Sequence, residues 1–246
     1  MKIDKQKSLL LLVGMLVISL SVTAGPPYNT DDPDPTPFKH WEYYISTINN
    51  EQGGEFSGTL PHFEVNYGII PNVMIHLVMP LSYDAPKHQS MHYGYGDTEM
   101  GFKYRFVKET DNCPEIGTFP IALVPIFKSN KMTSEKAQFF VPVWLQKSWG
   151  KLTTFGGGGY WFNPGAGNKN SVFTGLTMQY DFSEKVSLGE ELYYQTAATE
   201  EDQSSLAFNL GGQINFSKIL HLIFSAGHSL VHGKYFTSYL GLWWTI

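Results

Sequence analysis

Hydrophobic and polar residues alternate with period two along most of the chain, most regularly at its C-terminus. From Lys234 to Ile246, Phe236, Ser238, Leu240, Leu242, Trp244 and Ile246 fall on one face, and Tyr235, Thr237, Tyr239, Gly241, Trp243 and Thr245 on the other. Successive side chains of a strand point to opposite faces, so this is a strand with an apolar, aromatic-ended stripe opposite a Thr/Tyr/Gly stripe. That contrast suits a wall between lipid and a wet interior. A chain that ends on such a strand must also give it a neighbour.

Twelve segments carry the pattern at lengths near the ~9 to 11 residues of a tilted membrane strand. The first six lie at 40–48, 57–69, 73–82, 95–107, 119–128 and 136–148, and the second six at 151–162, 170–182, 186–196, 204–216, 221–230 and 234–246. The connections alternate too. Short turns at Pro71-Asn72, Gly150, Ser183 to Lys185 and Ser217 to Leu220 take every second place, and longer polar loops such as Asn49 to Phe56, Tyr83 to His92 and Asn163 to Lys169 take the others. Short turns on one rim and long loops on the other are a barrel trait, and an even strand count leaves both termini on the short-turn, periplasmic side. The fold class expected is all-β, a transmembrane antiparallel up-and-down barrel of about 12 strands. If Ile70, Pro71 and Asn72 form the second connection, Asn66 falls opposite His76.

Three features depart from the pattern. Lys108 to Thr118 is long for the short-turn side and carries the single cysteine, Cys113, which cannot form an intrachain disulfide. Glu190 shares the lipid phase with Val186, Leu188, Leu192 and Tyr194, so a bulge that turns it inward is expected. The run Gly156 to Gly159 lacks the Lys-Ser/Thr and the helix of a phosphate loop, and reads as a bend or close approach within a strand.

The N-terminus fits an exported protein. Lys2, Lys5 and Lys7 precede an apolar run from Leu9 to Val22, and Val22-Thr23-Ala24 ends in a small residue, so residues 1–24 read as a signal peptide cleaved after Ala24. The run is short of the ~20 residues of a spanning helix, and no other segment is long and apolar enough. A membrane protein without spanning helices must be a closed barrel, which places this chain in the outer membrane of a Gram-negative envelope. Residues 25–39, rich in Pro and Asp, cannot form a ladder strand and constitute a periplasmic lead-in or a plug, with Asp31, Asp32 and Asp34 as the candidate plug residues. The barrel proper is 40–246.

The inward phase of each strand gives the candidate lumen residues. These are Glu42 on the first strand, His62, Glu64 and Asn66 on the second, His76 on the third, and Asp97, Glu99, Lys103 and Arg105 on the fourth, with Glu191 and Gln195 on the ninth. Asp97 and Glu99 lie ~13 to 20 Å from Lys103 and Arg105 along one strand and must find partners on neighbouring strands. The result is a structural ion-pair network or a selectivity ring for a polar or anionic solute. His62, Glu64 and His76 offer three ligands with no obvious fourth, short of a metal site, and prolines separate the three aspartates, so no metal or other cofactor is expected.

Composition narrows the partners. The net charge of −5 becomes more negative once the leader, with Lys2, Lys5 and Lys7, is removed, which argues against nucleic acid. The partners implied are outer-membrane lipid, a small-molecule solute and the barrel-assembly machinery during biogenesis. A lipid hydrolase would need a serine activated by histidine, and in Gly227-His228-Ser229-Leu230 the two residues point to opposite faces. No enzyme is expected. A structural or surface-interaction barrel is the alternative to a channel, and its loops are short for that role.

The residues singled out are familiar as a set. Gly25-Pro26-Pro27 with Thr30-Asp31-Asp32-Pro33, His40-Trp41-Glu42, Pro61 to Gly68, Tyr93 to Glu99, Lys103 to Phe106, Leu145 to Gly150, Gly156 to Trp161 and Glu191-Leu192 resemble a family of transporter-like outer-membrane barrels catalogued as the MetA-pathway of phenol degradation. The resemblance covers nearly the whole mature chain and departs at Glu190, where a small residue is expected. It implies a membrane barrel for passive passage of small, aromatic or hydrophobic molecules, and the phenol label belongs to the family name rather than to a solute of this chain.

Overall fold

The computed structural model describes residues 26–127, 132–232 and 234–246, so the expected signal peptide lies outside the described residues. Fourteen strand segments form one sheet: β1 (Trp41–Gln52), β2 (Glu55–Ile70), β3 (Val73–Ala85), β4 (His92–Tyr95), β5 (Thr98–Val107), β6 (Glu115–Thr118), β7 (Ile121–Val124), β8 (Gln138–Trp149), β9 (Leu152–Phe162), β10 (Ser171–Ser183), β11 (Val186–Gln195), β12 (Ser205–Asn215), β13 (Leu220–Val231) and β14 (Tyr235–Thr245). Each pairs antiparallel with its neighbours. The first strand closes on the last, from Glu42 opposite Thr245 to Gln52 opposite Tyr235.

Both β4 and β5 pair with β3, and both β6 and β7 lie between β5 and β8. Each pair is one interrupted strand, and the sheet is a closed barrel of twelve. The second interruption has a local cause. Phe119-Pro120 separates Thr118 from Ile121, and proline has no N–H to give the ladder. Its carbonyl still accepts from the Phe102 amide at 3.3 Å.

The two faces are the reverse of a soluble protein's. Leu210 is 56% exposed while the adjacent Asn209 is 2% exposed, and Phe63 and Phe102 face out where Glu64 and Lys103 are buried. An apolar exterior around a polar interior is the arrangement lipid demands. Asn66 lies opposite His76 as expected, but not through a three-residue loop: Ile70 pairs with Val73 across a Pro71-Asn72 turn, Asn72 having a φ of 66°, and a register shift between Gly68 and Ile70 takes up the odd residue.

Several expectations need correction. The Asn49 to Phe56 loop is mostly ladder, because Gly53 and Gly54 with positive φ turn the chain tightly and leave β1 and β2 paired to Gln52 and Glu55. The long Lys108 to Thr118 connection shrinks as well. Ile116, Gly117 and Thr118 already pair with β5 and Glu115 with β8, and Thr110 and Cys113 exchange backbone hydrogen bonds across a tight turn. No bulge turns Glu190 inward. The one register shift along its strand lies at Asp181–Ser183, opposite Val186 and Ser187, and Glu190 itself stands in regular pairing opposite Met178 and Leu210 with its side chain pointing out. The glycine run lies wholly within β9, where β-carbons on Gly157 and Gly158 would come within 2.1 and 2.4 Å of the carbonyl oxygens of Val143 and Phe173.

Candidate functional site

The segment before β1 enters the barrel and crosses its lumen. Its anchor is a parallel bridge between Phe38 and Gly68, with the Lys39 amide donating to the Gly68 carbonyl at 2.7 Å. Thr36 donates from Oγ1 to Glu42 at 2.8 Å, and the backbone amides of Thr30 and Asn29 donate to the two oxygens of Glu191 at 2.5 and 3.2 Å. Ser225, on β13, donates to the Pro27 carbonyl at 2.6 Å. The strap therefore touches β1, β11 and β13.

Inward-facing glycines mark its track. A β-carbon on Gly68 would lie 2.0 Å from the Pro37 carbonyl oxygen, one on Gly117 2.9 Å from Pro33, one on Gly175 1.9 Å from Thr30 Oγ1, and one on Gly189 2.6 Å from the Tyr28 hydroxyl. Any larger residue there would occupy the space the strap fills.

Lys103, 3% exposed, places Nζ 2.9 Å from Asp31 and 3.4 Å from Asp32, and Arg105 pairs with Asp34 and, at 3.3 Å, with Glu115. The guanidinium also donates to Asn72 Oδ1 at 3.1 Å. The sequence argument looked for the partners of these cations on neighbouring strands. The lead-in supplies most of them, because a strand face holds its side chains in one line while a crossing segment brings aspartates to meet them. Burial nevertheless holds the Asp32 carboxyl well above the usual carboxylate range, outweighing Lys103, and raises Asp34 against the pull of Arg105.

Toward the long-loop end the lumen opens into a cavity of about 460 Å³, floored by Pro26 to Asn29 and Asp31. One side is polar. His76 contacts Asn66 Oδ1 at 2.6 Å and Glu99 at 3.0 Å, Asn66 donates to Glu64 at 2.9 Å, and the His62 ring lies 3.2 Å from Thr59 Oγ1. The other side is aromatic: Phe140 stacks on Trp161 at 4.8 Å between ring centres and meets Phe173 edge-on at 6.3 Å.

Of the other candidate residues, Glu42 and Glu191 are bound to the strap, and Gln195 lines the cavity. Asp97 sits between β4 and β5 and accepts from the Ser134 amide at 3.0 Å rather than joining the Lys103 cluster. Among the described residues no group of His, Cys, Asp or Glu has a metal-holding arrangement. Ser229 Oγ accepts from the Tyr235 amide, while His228 Nδ1 lies against the Ser229 carbonyl, so the two do not form a nucleophile and base.

Sequence reasoning missed Glu115, which fell in a stretch read as loop, and Asn209, a short polar residue among many. It also missed the aromatic wall. In β8 both phases are apolar, Phe140 and Trp144 on one and Phe139, Val141, Val143 and Leu145 on the other, so alternation there does not tell inside from outside. The available signal was the glycine run, since β-carbons on Gly157 and Gly159 would meet the rings of Trp144 and Phe140 at 3.1 and 2.7 Å.

No protein-family model and no curated protein matches the sequence. Among solved structures, an outer membrane channel from Pseudomonas putida F1 superposes with a TM-score of 0.65 at 14% identity, covering 91% of this chain and 100% of that one. The NanC porin gives 0.57 at 7% identity and the KdgM porin 0.55 at 11%, each over 82% of this chain and 98% of its own. At these identities the likeness is one of fold.

Proposed function

We propose that this chain is an outer-membrane channel through which small organic molecules cross passively, with residues 26–39 as its gate. The observation that carries the reading is the strap itself: a charged, proline-rich segment held across a polar lumen by ion pairs and by glycines that leave it room. A barrel whose interior served only stability would fill that space with strand side chains, as narrow barrels do. The apolar exterior and the short-turn rim, with the leader expected from the sequence of residues 1–24, support insertion by the barrel-assembly machinery with both termini in the periplasm. The sequence resemblance to the phenol-degradation transporter-like barrels and the fold shared with channels and porins point the same way, and among the described residues His228 and Ser229 are not arranged as base and nucleophile and no group is placed to hold a metal.

The test is conductance of the heat-modifiable, purified protein in a planar bilayer, intact and with residues 25–39 deleted. Small or rare steps from the intact protein and large, persistent steps from the deletion are expected. Equal silence from both, with the barrel folded, would refute the channel. Equal conductance from both would leave the channel standing and remove the gate.

A further inference from the structure

The cavity above the strap joins two chemistries that a passage for neutral solutes does not need together. Apart from His76, which pairs with Glu64 and Glu99 when protonated, its charged lining is one-sided. Asp31, Glu64 and Glu99 border it with His62 and His76, and among the described lining residues there is no lysine or arginine. Lys103, whose ammonium lies 5.2 Å from the ring centre of Phe119, is already committed to Asp31 and Asp32. Glu99 uses one oxygen on His76 and leaves its side chain 24% exposed, so it is the carboxylate a ligand can reach.

The aromatic wall adjoins the histidine that Glu99 contacts. Phe119 meets His76 edge-on at 5.0 Å and also packs against the cluster of Phe140, Trp144, Phe173 and Tyr193. The polar and aromatic sides are thus separated by one phenyl ring. Aromatic faces carry negative quadrupole potential, so a cation beside them and a carboxylate is attracted by both, whereas an anion is repelled by both. A volume of about 460 Å³ lies within the range of small-molecule sites.

We propose that this cavity is a binding site for aromatic organic cations, the ring lying against Phe140, Trp161 and Phe173 and the cationic centre turned toward Glu99. A neutral aromatic satisfies only the ring wall, and a small aliphatic cation only the carboxylate. The inference names a solute class for the channel reading and takes its biological sense from it, although the binding chemistry does not depend on conduction.

Calorimetric titration of the purified full-length barrel in detergent tests it, with benzyltrimethylammonium, benzyl alcohol, benzoate and tetramethylammonium as probes. Benzyltrimethylammonium should bind about tenfold more tightly than benzyl alcohol or tetramethylammonium, the worth of one desolvated cation–π and carboxylate contact, and benzoate should bind least. Glu99→Gln should erase most of that advantage while leaving benzyl alcohol within about twofold, and Trp161→Leu, a second variant on another strand, should weaken both aromatic probes. Equal affinity for benzyl alcohol and benzyltrimethylammonium would overturn the proposal. So would unchanged selectivity in a folded Glu99→Gln barrel, or the absence of any cation binding. Failure of the conductance experiment with cation binding intact would instead overturn the channel and spare the site.

Discussion

The strap's hold on the lumen depends most on Lys103, and replacing it with methionine measures that hold. Lys103 is 3% exposed and its ammonium lies 2.9 Å from Asp31 and 3.4 Å from Asp32, while Arg105 is occupied by Asp34, Glu115 and Asn72. Lys103→Met keeps the stem and leaves two docked aspartates facing no cation of their own. Breaking a buried pair by removing one partner costs about 3 to 5 kcal/mol. There is also a ceiling, since an aspartate with an ordinary pKa near ~3.9 can be neutralised at pH 7 for about 4 kcal/mol. Asp31, 18% exposed in its side chain, keeps some hydration, which favours the lower end. A shift of ~3 kcal/mol changes the docked to undocked ratio by about a hundredfold.

The assay is single-channel open probability, with protease cleavage within residues 26–39 as a second reading of undocking. Both should rise by about two orders of magnitude in Lys103→Met. Adding Asp31→Asn and Asp32→Asn should restore most of the closed state, because no unpaired charge is then buried. Wild-type behaviour in Lys103→Met, or a triple variant as loose as the single one, would refute the ion-pair account of docking.

Gly175→Ala should also release the strap, since its β-carbon would fall 1.9 Å from Thr30 Oγ1, and Thr30→Ala in the same barrel should restore docking, read by the same protease assay. Release that Thr30→Ala does not reverse would place the damage in the ladder instead. Acidification should tighten the strap: Asp32 and Asp34 are raised when docked, so docking takes up protons, its benefit is full below the ordinary value near ~3.9 and is lost as pH rises through the raised ones. Conductance that increases between pH 7 and 5 would contradict this sign. Glu190→Leu should stabilise the barrel in lipid vesicles by ~1 to 2 kcal/mol, because the carboxylate points outward opposite Met178 and Leu210, and an unchanged urea midpoint would show that Glu190 has a partner or depth that removes the cost.

Period-two alternation and the rhythm of turns were enough to determine the strand number, most of the boundaries, the face that meets lipid and the pairing of Asn66 with His76, while the strand from Glu115 to Val124 was placed about four residues too late. These are local properties: a strand inverts its side chains at every residue, and a turn fixes the register of the two strands it joins. The charged residues of β5 were likewise legible as inward. What only the tertiary structure decided was their partners. Closure of the barrel sets β1 beside β14 and encloses a space that residues 26–39 cross, so Asp31, Asp32 and Asp34 reach Lys103 and Arg105 from some 70 positions away in the chain. Tertiary structure also picked the inward phase of β8, where both faces are apolar, and kept Glu190 outward. There the ladders on both sides hold one register, and shifting it would move every other side chain of the strand to the wrong face.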